Sequence, residues 1–323
     1  MTRLTRILLS SAALALLLAG PATALSFSNL FVFGDSIVDQ GNTQAAVLAA
    51  TGGALDVTPA AAGYFDGRFT NGPNAADVVN VAVEGSLTVG SLFGGDNYAF
   101  GGARARTDAD TIPDLSLQVG AYLSDVGGVA DPSALYFLNA GGNDVRDIVI
   151  GGLTGAARQT VIDDAVAAIA GGIATLSGAG AQHFLFAGVG DVGSIPEILA
   201  LGGTAPADGR AASEDINAAI LAALTGGVTF FDTIALFDAL AANPAAFGLP
   251  AGINLTDACV TSGVADPSGP PTCTDFAFFD DVHPTTQLHS IFGDGLVAAV
   301  PEPATGTLLL LGLVGLAVRR RAR

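Results

Sequence analysis

The chain predicts an α/β fold, a single domain with a central parallel sheet and helices on both faces. Short runs of consecutive apolar residues that end near glycine recur along it: "NLFVFGD" (29–35), "ALYFLNAGG" (134–142) and "QHFLFAGVG" (182–190), with "VTFFDT" (228–233) as a fourth. Runs apolar at every position belong to strands buried on both faces, the situation inside parallel sheets. Helical patterns separate them: "ARQTVIDDAVAAIAGGIATLSGAG" (157–180), "AASEDINAAILAALTGG" (211–227) and a last one at 284–300 that opens with Pro284 in a first-turn position. Strand–helix alternation without a linker means one layered domain, here residues 25–299.

In chain order, the first 24 residues read as an export signal. Arg3 and Arg6 precede an apolar stretch (7–18), and Ala22-Thr23-Ala24 forms a small-residue cleavage site after Pro21. The first strand then runs into Gly34-Asp35-Ser36, where the serine is expected to begin a helix. Residues 50–130 carry many Gly, Asn and Asp and few periodic runs, so they read as long loops and short helices. In such sheets ligands bind at the carboxyl ends of the strands. Ser36 and the Gly141–Asp144 segment both follow strands and fall on that edge.

Charge excludes one class of partner. There is no lysine, and between residues 25 and 301 six arginines face 29 acids, a net −23. Such a surface repels nucleic acid. The only two cysteines, Cys259 and Cys273, flank a Pro/Gly/Ser-rich loop and in an exported protein read as one disulfide. No metal-ligand cluster and no G-x-S-x-G elbow occur, and no cofactor is implied.

Histidines are scarce. His183 lies within an apolar strand, a structural position, and His289 within the last helix, where it reads as structural or exposed. His283 stands in "FFDDVHPTT", three residues after Asp280, a spacing at which a carboxylate can orient an imidazole; Asp281 competes for that role.

Four segments in order then resemble the GDSL, or SGNH, hydrolase family: "FGDSIVDQGN" (33–42), "NYAFGGA" (97–103), "GGNDV" (141–145) and "DDVHP" (280–284). "GRFTNGPNAADVV" (67–79) and "DTIALFDAL" (232–240) resemble connecting segments of the branch holding lipase/esterase autotransporter passengers and plant GDSL lipases. The resemblance implies a three-layer, flavodoxin-like sandwich. It implies Ser36 as nucleophile, His283 as general base and Asp280 as its orienting acid. The oxyanion hole would be the N–H of Ser36, the N–H of Gly101 (or its neighbour Gly102) and the side-chain amide of Asn143. Ile37 replaces the leucine of the family name, and Phe279 stands where tryptophan is frequent. Phe65, Phe100, Phe276 and Phe278 are candidates for an acyl pocket or for the core.

The last segment (300–323) joins Pro301-Glu302-Pro303, an apolar stretch and Arg319-Arg320-Arg321. It resembles the PEP-CTERM sorting signal, which implies an exosortase partner, transient anchoring in the inner membrane and delivery to the surface of a Gram-negative bacterium. The expected function is an exported serine esterase or lipase acting on acyl or acetyl esters of lipid or polysaccharide. Two alternatives are an acyltransferase with the same triad and a non-catalytic surface binding protein.

Overall fold

The computed structural model describes residues 26–224, 226–261 and 271–301. The expected signal peptide, all of the sorting tail beyond Pro301 and the middle of the cysteine loop lie outside the described residues. Four parallel strands form the central sheet in sequential order: β1 (Leu30–Gly34), β2 (Leu135–Asn139), β3 (His183–Ala187) and β4 (Val228–Phe231). Their register pairs Val32 with Phe137, Phe137 with Leu185 and Leu185 with Thr229.

Successive side chains of a strand point to opposite faces, so each apolar run feeds two cores. Phe31, Phe33, Tyr136, Leu138, Phe184 and Phe186 enter one. It is covered by α3 (Leu115–Asp125), α4 (Gly142–Ile150), α5 (Gly155–Ala179) and α7 (Ala205–Ala223). Leu30, Val32, Leu135, Phe137, Leu185 and Ala187 enter the other, beneath α2 (Ala75–Glu84) and α9 (Thr286–Ala299). The three layers follow from that alternation. Helix α5 is long and apolar enough to cross a bilayer. Its Ile162, Ile169, Ile173 and Leu176 are instead packed against the sheet.

Among the described residues the remaining α-helices and strands are α1 (Asn42–Thr51), α6 (Pro196–Leu201), α8 (Thr233–Ala242) and a two-stranded parallel ribbon of β5 (Asn254–Ala258) and β6 (Phe276–Phe278). The Cys259–Cys273 disulfide closes the loop between β5 and β6.

Three expected starts are corrected. Ser36 does not begin a helix: a turn bonds Val38 N–H to Asp35 O at 3.1 Å, and α1 starts six residues later, at Asn42. Pro284 precedes α9 instead of opening it, because it forms a bridge with Phe278, and Thr285 caps the helix. Helix α7 starts at Ala205, not 211, since Pro206 fits the first turn, where its missing N–H costs nothing.

Candidate active site

Block by block, backbone contacts bring the sequence motifs together at the carboxyl edge of β1 and β2. Residues 96–100 run along the free edge of β1 and bond to it through Val32 N–H to Asp96 O, Tyr98 N–H to Val32 O and Phe100 N–H to Gly34 O, at 2.8–3.1 Å. The Phe100-Gly101-Gly102 corner therefore lies beside the loop that carries Ser36. Gly34 is required there, because a Cβ would stand 2.2 Å from Asn139 O on β2. On the neighbouring strand, β2 ends at Asn139 and α4 begins at Gly142, so Asn143 faces the same edge.

Two buried polar residues lock the first two blocks. Asp39 accepts from Asn42 N–H (2.8 Å) and Gly101 N–H (3.0 Å), and Asn42 Nδ2 donates to the carbonyls of Asn97 and Ala99. Burial raises the Asp39 carboxyl above its usual range, against the bonds from Thr43, Gly101 and Asn42. Gly101 N–H is also bonded to Thr43 Oγ1 at 2.6 Å. This corrects the expectation for Gly101: its donor is spent inside the loop. Among the described residues the N–H groups of Gly102 and Ser36 have no acceptor. Asn143 Nδ2 gives one hydrogen to Ala103 O at 2.9 Å and keeps a second.

From the other end of the chain, β6 delivers Asp280 and His283. Asp280 Oδ1 accepts the N–H groups of Val282 (3.0 Å) and His283 (2.8 Å), folding the loop into an Asp-capped turn. The same carboxylate meets His283 Nδ1 at 2.8 and 2.9 Å, and His283 Nε2 lies 2.7 Å from Ser36 Oγ, 247 residues away. Burial alone would push the Asp280 carboxyl up, but the facing His283 charge and these hydrogen bonds outweigh it and hold it below the usual carboxylate range. Among the described residues the imidazole of His283 takes its carboxylate from Asp280 and not from Asp281, whose carbonyl accepts Glu197 N–H at 2.9 Å.

Sequence reasoning missed Tyr64. Its hydroxyl donates to Asp280 Oδ2 at 2.8 Å, and its ring meets Phe279 edge-on at 4.8 Å. Tyr64 sits in a stretch without periodicity and 216 residues from Asp280, so no local signal marks it. Residues 70–73 brace the same loop: Thr70 Oγ1 donates to Pro284 O, Thr286 N–H to Asn71 Oδ1 and Thr286 Oγ1 to Pro73 O, each at 2.8 Å.

A cleft of about 120 Å³ opens beside Ser36 and Asn143. Of the four phenylalanine candidates Phe278 lines it, and Phe237 and Phe292 do too. Phe65 lies on the surface under the Arg68 guanidinium. His183 packs against Phe27, and His289 is buried, its imidazole driven down to about 3 by desolvation and then by the His283 charge.

A layered α/β sheet with a serine, a histidine and an acid converging at its carboxyl edge defines a class of hydrolases. Residues 30–296 match the family described as GDSL-like Lipase/Acylhydrolase. The chain belongs to that family of carboxylic ester hydrolases. Lipase 1 of Photorhabdus luminescens is 31% identical over 58% of this chain and 26% of its own length, so the match spans about a quarter of that protein. A GDSL esterase/lipase of Arabidopsis thaliana is 28% identical over 81% of this chain and 84% of its own. A solved acetylxylan esterase of Geobacillus stearothermophilus is 14% identical with a TM-score of 0.45, covering 86% of this chain and 95% of that one. Residues 299–321 match the PEP-CTERM protein-sorting motif, which marks the chain for export and sorting to the envelope of a Gram-negative bacterium.

Proposed function

We propose that the protein is an exported serine esterase that cleaves carboxylic esters through an acyl-enzyme. The observation that carries this reading is the Ser36 Oγ–His283 Nε2 contact at 2.7 Å, with Asp280 on Nδ1. A serine hydroxyl attacks an ester at neutral pH only when a base takes its proton. In this reading His283 holds its Nδ1 hydrogen toward Asp280, which leaves Nε2 as acceptor. Ser36 Oγ adds to the carbonyl carbon as Nε2 takes the proton. Asn143 Nδ2 and the N–H groups of Ser36 and Gly102 bind the oxyanion, one such donor contributing roughly 3 kcal/mol. Collapse expels the alcohol, which takes the proton from His283. Water then repeats the sequence and releases the acid.

The narrow, mostly apolar cleft favours short acyl groups, acetyl included, over long fatty chains. Export by the signal peptide (1–24), transient membrane anchoring by the tail (300–323) and handling by an exosortase complete the reading. The test is hydrolysis of a p-nitrophenyl ester series, acetate to palmitate, by residues 25–300 produced under oxidising conditions, beside Ser36→Ala. Activity on the short esters that disappears with Ser36 is the expected result. Folded protein that cleaves no ester would refute it.

A further inference from the structure

We infer that the Arg146–Glu197 ion pair is a strap across the cleft that sets the acyl length the site accepts. The inference rests on the serine-esterase reading for its chemistry, but its evidence is separate. Arg146 lies three residues after Asn143 on α4, the spacing that puts both on one helix face, and both line the cleft. The 188–195 segment, which packs directly against the start of α4, and Val282 of the His283 loop line the cleft as well. Glu197, in the first turn of α6 two residues beyond Ile195, is tied to the His283 loop by its N–H bond to Asp281 O at 2.9 Å.

The guanidinium grips Glu197 with two nitrogens, Nε to Oε2 and Nη2 to Oε1, the latter at 2.6 Å. That fork is the strong, directional form of an ion pair. The bond to Glu197 holds the Arg146 proton more tightly than usual. The pair therefore ties α4, which carries Asn143, through α6 to the His283 loop, and bounds the cleft where Arg146 lines it. Val189, Ile195, Phe237, Phe278 and Phe292 supply apolar surface in the same cleft. A chain longer than the cleft would have to displace the strap, which means separating a paired charge. The side chains are 34% and 28% exposed, so the pair sits at the rim and its loss costs the fold little.

The experiment compares kcat/KM for p-nitrophenyl dodecanoate and butyrate in wild type, Arg146→Ala, Glu197→Ala and the double variant. Each single change is expected to raise the long-to-short ratio at least about tenfold. The double variant is expected to match either single, because one bond is lost in all three. Ratios within about twofold of wild type, or effects that add in the double variant, overturn the strap. Calorimetric binding of the same two esters to Ser36→Ala, with and without Arg146→Ala, separates the two readings. If wild type cleaves nothing yet the binding ratio moves, hydrolysis falls and the strap stands. If wild type cleaves esters and neither ratio moves, only the strap falls.

Discussion

Replacing Asp35 by asparagine should stabilise the protein, and by an amount that grows with pH. Asp35 is 4% exposed beside Ser36, and its Oδ1 accepts Ile37 N–H at 3.0 Å. Burial pushes its carboxyl from 3.8 up to about 7; the Ile37 bond and the His283 charge oppose the rise, while Asp144 and Asp39 add to it. In the unfolded chain the group ionises at its ordinary value. Below that value it is neutral in both states and contributes nothing. Between the two values the folded protein keeps a proton that the unfolded chain has lost, so stability falls as pH rises, and the whole deficit is present above about 7. A displacement of about 3 pH units at about 1.4 kcal/mol each amounts to about 4 kcal/mol. Asparagine is neutral throughout, and its carbonyl can still accept the Ile37 N–H. The gain of Asp35→Asn in urea unfolding, with the disulfide intact, should be near zero at about pH 4 and reach about 4 kcal/mol at about pH 8. At roughly 2–4 °C per kcal/mol, Tm at the higher pH should rise by about 10 °C. A gain that is the same at both pH values, or a loss at the higher one, would refute the burial cost assigned to this carboxylate.

Two further outcomes are expected. Tyr64→Phe removes the hydroxyl that holds Asp280 Oδ2, so kcat on p-nitrophenyl butyrate should drop about tenfold with KM unchanged, the scale of one hydrogen bond to a charged group; an unchanged kcat would reduce Tyr64 to packing. Reducing the Cys259–Cys273 bond should cost about 3 kcal/mol in urea unfolding. Because Cys273 packs in one cluster with Tyr64 and Phe279, kcat should fall as well, and coincident unfolding curves with and without reductant would contradict this.

The layers were legible early, because an apolar residue at every position of 30–33, 135–138 and 184–187 can only be buried on two faces. Helix starts were less legible. Ser36 is a good N-cap by type, but the Asp35–Val38 turn and the Asp39 lock on Gly101 place α1 beyond it. The serine, acid and histidine are legible in short motifs, since each sits in a turn whose local residues, such as the Asp280 cap on Val282 and His283, make that turn.

By itself the sequence determined the four strands of the central sheet, the sorting motif at residues 299–321 and which residue types are available for chemistry, all properties of local pattern and composition; the β5–β6 ribbon was not legible in it. Tertiary structure alone decided that the Gly101 N–H belongs to Asp39, that Tyr64 holds Asp280 and that Arg146 reaches Glu197. Those bonds join residues 62, 216 and 51 positions apart. A hydrogen bond acts only over about 3 Å and in a narrow range of directions, so it is set by how the layers pack, which no stretch of neighbouring residues encodes.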